Sequence, residues 1–219
     1  MFLKLKFLYS FCIRWYNNLE KTSKCKKEKF MINGVIIVNK PKNFTSQDVV
    51  SKVKKVLNEK KAGHTGTLDP MATGVLPILV GNATKLSKYL IEHNKTYVAK
   101  IKLGQKTDTG DVEGTVVEEK PVIDISLDKV EKVLNSFIGK QKQIPPIYSA
   151  IKINGKKLYE YARNGEKVEI PEREIEIYSI KLLQLNEEIE FEVSCSKGTY
   201  IRTLCEDIAK ALGTVRLYE

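Results

Sequence analysis

The residue of this sequence best suited to chemistry is a carboxylate set in a glycine-rich loop. The loop runs Gly63-His64-Thr65-Gly66-Thr67-Leu68-Asp69-Pro70-Met71-Ala72-Thr73-Gly74. Its three glycines permit tight backbone paths and the close approach of a large ligand. Pro70 biases Asp69 toward an extended or turn conformation, so a single acidic side chain is presented on a constrained loop. A carboxylate held this way can act as nucleophile or base. An Asp-Pro pair can equally be a plain turn, and the residues alone leave both readings open. The glycines do not form a Walker-type phosphate loop, because no lysine follows them in the required place. Asp108 and Asp111 could suggest a glycosidase-like pair, but they flank Gly110 and read better as a polar turn.

Other chemistries find less support. The cysteines are Cys12, Cys25, Cys195 and Cys205, none in a C-x-x-C pair, and the histidines are His64 and His93. This is not zinc-ligand spacing. Scattered thiols in a chain of 219 residues fit a reduced, cytoplasmic protein. The net charge of +10 suggests an anionic partner, nucleic acid or a membrane surface, but by itself fits a merely basic surface equally well. No apolar stretch reaches the roughly 18 residues a membrane helix needs. Residues 1–30 are basic, and their short apolar centre is broken by Arg14. They lack a signal peptide's uncharged core and cleavage site, and are read as a disordered extension before a domain at 31–219.

The elements that must position Asp69 can be placed from pattern. GVIIVNKP reads as a buried strand ended by Pro41. Thr45 or Ser46 then caps a helix with Val49, Val50, Val53, Val56 and Leu57 on one face, and Gly63 stops it. VLPILVG is a strand after the glycine loop, followed by a short helix from Thr84 to Glu92 and the strand TYVAKIKLG. DVEG turns the chain into GTVVEE. A helix spans Ser126 to Phe137. GKQKQIPPIYSA is polar, basic and proline-broken, and is predicted to be an exposed loop. Asn154-Gly155 is a hairpin turn, KKLYEYARNG a short helix, and EIEIYSIKLLQL and EIEFEVSC alternating strands. A final helix, Thr199 to Leu212, turns Ile201, Leu204, Ile208 and Leu212 inward. Without regular βαβ alternation, the expected class is α+β: a mixed, largely antiparallel central sheet flanked by helices.

Read as longer stretches, these segments resemble one family. GHTGTLDPMATGVLPILVGNATKL resembles the signature loop of the TruB family, the bacterial tRNA pseudouridine-55 synthases. GVIIVNKPKNFTSQDVV resembles its opening motif, KTYVAKIKLGQKTDTGDVEG its second, and YSAIKINGKKLYEYARNG and CSKGTYIRTLCEDIA its later core motifs. Together they cover about residues 34 to 214. The resemblance implies the pseudouridine synthase fold and isomerisation of uridine in the T-arm of tRNA, without a cofactor. It implies a flipped base, with Asp69 as the catalytic carboxylate and Arg202 paired with it. Tyr97 would stack on the uracil, and its hydroxyl could help remove the C5 proton. His64 would stand near the space the base vacates. Lys40, as a phosphate or pocket contact, and Leu204 complete the expected substrate-binding set. The segment from about Lys140 to Tyr148 corresponds to one that the family folds over the RNA hairpin, and Lys140, Lys142, Lys152, Lys156 and Lys157 could contact phosphates. The partner is tRNA, with no membrane and no obligatory protein, and the chain is expected to be a monomer.

Two departures and two rivals accompany the resemblance. The opening motif has Asn39 and Asn43 where the family usually has aspartate and glycine. After Leu212-Gly213-Thr214 the usual continuation is lost, so the chain is read as truncated, without the PUA-type domain that often follows. A non-catalytic RNA-binding protein would share the basic surface and Tyr97 but would not need Asp69 and Arg202 together. A guide-dependent synthase working in a ribonucleoprotein would share the core motifs.

Overall fold

The computed structural model describes residues 32–107, 115–119, 125–186, 188–214 and 216–218. The basic segment 1–30, Asp108, Asp111 and the DVEG turn lie outside the described residues. In chain order the strands are β1 (Gly34–Lys40), β2 (Ala62–His64), β3 (Gly74–Val80), β4 (Lys95–Leu103), β5 (Gln105–Thr107), β6 (Val116–Glu119), β7 (Gly139–Gln143), β8 (Lys152–Ile153), β9 (Lys156–Lys157), β10 (Arg173–Leu185), β11 (Glu188–Cys195) and β12 (Arg216–Tyr218). The helices are α1 (Ser46–Leu57), α2 (Ser87–Leu90), α3 (Leu127–Ser136), α4 (Leu158–Arg163) and α5 (Ile201–Ala211), with a 3-10 turn at Gly81–Leu86. The expected α+β class is what is found.

The strands divide between a three-stranded sheet ordered β1-β3-β2 and a five-stranded sheet ordered β12-β4-β11-β10-β7, with two small hairpins, β5-β6 and β8-β9. Every pairing among the described strands is antiparallel. In the small unit, Val49 and Val50 of α1 pack on Leu76, Ile78 and Val80 of β3. Thr45 caps α1 through a reciprocal box. Its hydroxyl accepts the Asp48 N–H at 3.1 Å, while its own N–H donates to Asp48 Oδ2 at 2.9 Å. The Thr45 hydroxyl also donates to Asp48 Oδ2 at 2.5 Å, and that bond first, then the one from the Thr45 N–H, holds the Asp48 carboxyl below its usual pKa. The helix stops before Gly63: Asn58 takes the left-handed conformation, with φ 51°, and ends it.

In the large unit the sheet alternates as a half-covered sheet should. Ala99, Ile101, Ile189, Phe191 and Val193 point into a core shared with Val130 and Leu134 of α3 and Leu204, Cys205 and Ile208 of α5. The opposite face is polar, with Lys100 and Glu190 paired across β4 and β11 at 3.5 Å. The first part of the predicted loop GKQKQIPPIYSA is instead β7, the edge strand beside β10. The Lys-Gln alternation explains this: Lys140 and Lys142 face outward, while Gln143 is only 4% exposed. Two prolines end the strand rather than prevent it.

Candidate functional site

Asp69 lies at the seam between the two cores. Its neighbour Leu68 packs against the small core, while Met71 is buried in the large one. The peptide between is closed as a β-turn, the Ala72 N–H donating to the Asp69 carbonyl at 3.1 Å, with Pro70 where such turns favour proline. The Asp-Pro pair is thus a turn, and that turn leaves the Asp69 side chain free to serve as a candidate site residue. At the loop's exit, Gly74 has φ +124°, which a side chain would strain.

The segment joining β1 to α1 fastens the loop on both sides of Asp69. The Ser46 hydroxyl accepts the Leu68 N–H at 2.9 Å. The Pro70 carbonyl accepts the Asn43 N–H at 2.9 Å and a proton from Lys40 Nζ at 2.9 Å. Lys40 is 0% exposed, and its ammonium also donates to the carbonyls of Pro41, at 2.9 Å, and Phe44, at 2.5 Å. Three donors thus meet three backbone acceptors. Lys40 is an internal clamp on the Asp69 loop, and this geometry leaves no place for the phosphate contact expected from sequence. Asn43 holds φ 66°, a conformation in which glycine is easiest and asparagine the next most tolerant. The departure from the family's glycine is conformationally mild for that reason.

Arg202 approaches from the other core. It sits in the first turn of α5 and is 8% exposed. Its Nε stands 2.9 Å from Asp69 Oδ2, and its Nη2 donates to Asp69 Oδ1 at 3.4 Å and to the Tyr148 carbonyl at 3.0 Å. A cation at a helix N-terminus works against the helix dipole, and the Asp69 carboxylate offsets that. Asp69 keeps about a third of its side chain accessible (34%), so the pair opens to solvent on the carboxylate side. Tyr97 lies on β4, in register with Val193, and packs partly against the large core. Burial first, then the nearby Cys195 and Asp69, push its phenol up to about 12. It therefore enters the site as a neutral ring with its proton in place.

The remaining expected residues separate. His64 lies in β2 opposite Ile78, and its Nδ1 is enclosed with no hydrogen-bond partner. Leu204 is enclosed in the large core. Lys142 pairs with Glu172 at 3.5 Å and Lys156 with Glu166 at 2.6 Å, while Lys157 donates to the Tyr159 hydroxyl at 2.9 Å. Phosphate contacts by these lysines would replace existing partners. Among the described residues no group of three or more His, Cys, Asp or Glu could hold a metal ion, and no helix is long and apolar enough to cross a membrane. Sequence reasoning missed Met71, Ser46, Gln143 and the Tyr148 carbonyl. The period-two pattern of Gly139–Gln143 could have flagged Gln143; a backbone carbonyl carries no sequence signal.

Residues 54–201 match the model of the TruB family pseudouridylate synthases, N-terminal domain, a span holding Asp69 and Tyr97 and ending one residue before Arg202. The chain is 52% identical over 202 residues to the tRNA pseudouridine synthase B of Psychrobacter cryohalolentis, covering 90% of this chain and 56% of that protein. It is 50% identical over 190 residues to the enzyme of the same name from Francisella tularensis subsp. novicida, covering 86% and 63%. The chain thus spans somewhat more than half the length of these relatives. Among solved structures it resembles a chain of a Cbf5-Nop10-Gar1 complex, with TM-score 0.66, 30% identity, and coverage of 91% of this chain and 54% of that one. It also resembles a chain of an H/ACA RNP bound to a substrate RNA containing 2′-deoxyuridine, with TM-score 0.62, 30% identity, and coverage of 85% and 45%.

Proposed function

This chain belongs to the TruB family of pseudouridylate synthases, and on that premise we propose that it converts uridine to pseudouridine in the T-arm of tRNA, at position 55, with Asp69 as the catalytic carboxylate. The observation that carries the reading is the Asp69–Arg202 ion pair at 2.9 Å, open on the carboxylate side. Names shared by half-identical relatives support tRNA as the substrate.

The reaction is an isomerisation. The N1–C1′ bond breaks, the uracil turns while held, C5 bonds to C1′, the C5 proton leaves and N1 gains one. No electron is gained or lost. The target base must first leave its stack, at a cost of about a few kcal/mol. Asp69 then attacks the base or C1′, or takes a proton from the ribose, and Arg202 holds the carboxylate in place through its charge-assisted bonds. Tyr97 offers a ring face for the flipped uracil. The environment of its hydroxyl opposes phenolate formation, so removal of the C5 proton by Tyr97 would require substrate binding to change that balance. His64, with its unpaired nitrogen, is suited to filling the space the base vacates.

The test is to incubate the chain with an unmodified T-arm stem-loop and detect pseudouridine by mass spectrometry after chemical tagging. Product with bare RNA supports a stand-alone enzyme. Product only with a guide RNA and partner proteins would favour the ribonucleoprotein mode that the solved neighbours suggest. Asp69→Asn should abolish isomerisation while RNA binding largely persists. Turnover within about tenfold of the parent would show that Asp69 is not the catalytic group.

A further inference from the structure

We propose that Gln143 is a positioning residue for Arg202, its side-chain amide acting as a surrogate peptide group between β7 and the start of α5. The proposal rests on the functional reading above for its catalytic consequence, but not for its geometry. Gln143 Oε1 accepts the Tyr200 N–H at 2.8 Å, and Gln143 Nε2 donates to the Tyr200 carbonyl at 3.1 Å. Both faces of one carboxamide are thus used on both polar groups of one residue, as a neighbouring strand's backbone would use them. Donor and acceptor are fixed by this pairing, since a flipped amide would set like against like. The side chain is almost fully enclosed, so water does not compete for either bond.

Tyr200 is the N-cap of α5, and no side chain caps the helix there. Two residues on, Arg202 reaches back to the Tyr148 carbonyl at 3.0 Å. Tyr148 is five residues after Gln143, across Pro145-Pro146, whose rings fix φ and stiffen the path. A closed circuit results: Gln143 side chain to Tyr200 backbone, Arg202 side chain to Tyr148 backbone, and back along a stiff segment. The circuit sets both the helix start that carries Arg202 and the acceptor that turns its guanidinium. Nothing in Gln143 reaches Asp69 directly; it acts through Arg202. A displacement of about 1 Å at a reacting group can cost about 100-fold in rate, so the circuit is long enough to matter and short enough to control.

The experiment uses the full chain with Gln143→Met, which keeps length and loses both bonds, and Gln143→Glu, which keeps the acceptor and puts an oxygen against the Tyr200 carbonyl. Thermal unfolding first establishes that each variant folds. The Arg202 Nε–H resonance is then followed by nitrogen-proton NMR without RNA. It should be protected from solvent exchange in the parent and lose that protection in both variants. On the T-arm stem-loop, kcat should fall about tenfold or more while stem-loop Kd stays within about twofold. A folded variant with unchanged Arg202 Nε–H protection overturns the proposal, whatever its activity. Two variants that fail to fold also overturn it, since Gln143 would then be a determinant of the fold. Loss of protection with a parent inactive on RNA would leave the positioning intact and sink the functional reading instead.

Discussion

Asp69 and Arg202 meet at 2.9 Å, yet the two halves of the pair are held by different physics. On the Asp69 side the anchors are polar and backbone-directed: Lys40 on three carbonyls, Ser46 on Leu68, and the Asn43 N–H on Pro70. On the Arg202 side the anchors are mainly apolar: Ile201, Leu204, Cys205 and Ile208 bury one face of α5 against the five-stranded sheet, and polar bonds from Gln143 fix only the helix start. A loop has no repeating face to bury, so its position must be fixed bond by bond. A helix needs only its apolar stripe and its start fixed. The comparison predicts that the Asp69 side fails through single polar substitutions all along its loop, and the Arg202 side only through its head group or the polar fixing of its helix start.

After loss of the carboxylate itself, Arg202→Lys should give the largest effect. A lysine at this position keeps the charge but cannot hold the carboxylate and the Tyr148 carbonyl together with a planar fork. Turnover on the stem-loop should fall by about 100-fold or more, with modest loss of RNA affinity. Full activity in Arg202→Lys would mean that the carboxylate needs no orientation from this side, and the contrast between the two halves would collapse.

Lys40→Met tests the other side. It removes the clamp while nearly keeping volume, leaving the Pro41 and Phe44 carbonyls without their ammonium partner. Each buried carbonyl stranded costs about 1–3 kcal/mol, partly offset by no longer burying a charge, so the net loss should be about 2 kcal/mol. Turnover per folded molecule should drop about tenfold, because the Pro70 carbonyl keeps only the Asn43 N–H. A melting temperature and turnover equal to the parent's would show that the hydrogen bonds to Leu68 and Pro70 position Asp69 unaided.

The same division explains what could be read from the sequence. The α5 face, the alternation of β10 and β11 and the Thr45 cap are periodic or local, and they were legible. The Asp69 loop was legible as a constrained turn, and as a candidate site only once the family resemblance was added, since an Asp-Pro pair alone serves plain turns equally well. Its supports were not. Lys40 looks like a solvated strand-end lysine until its carbonyl partners, one of them thirty positions away at Pro70, are brought around it. The Gly139–Gln143 strand was hidden by its polarity: an edge strand that turns lysine outward and glutamine inward carries no apolar signal.

Tyr97 provides a smaller test on the apolar side. Its phenol is raised to about 12 by burial and by the nearby Cys195 and Asp69. A group whose folded pKa lies above its unfolded value stabilises fully below the unfolded value, near 10, and that stability is lost as pH climbs through 12. The parent should therefore lose on the order of 2 kcal/mol between pH 10 and 12 that Tyr97→Phe does not lose. Parallel alkaline unfolding curves would place Tyr97 in a wetter setting than the large core provides.

The smallest effect separates backbone conformation from hydrogen bonding in the Asp69 loop. Asn43 contributes its N–H to the Pro70 carbonyl and holds φ 66°. Glycine and alanine at this position would both keep the N–H, so any difference between them reports on φ alone. Asn43→Gly should fall within about 0.5 kcal/mol of the parent in thermal or denaturant unfolding: the left-handed strain is relieved, and the unfolded chain gains freedom. Asn43→Ala should lose about 1 kcal/mol, the usual cost of a Cβ in that region without a side chain that hydrogen-bonds locally. Turnover per folded molecule should stay near the parent's in both, because the bond to Pro70 survives. If Asn43→Ala is as stable as Asn43→Gly, the left-handed turn is not a constraint, and the loop is fixed by its hydrogen bonds alone. If Asn43→Gly instead loses activity while remaining folded, the asparagine side chain itself supports the site, and the polar anchoring of Asp69 extends one residue further than the backbone bonds drawn above.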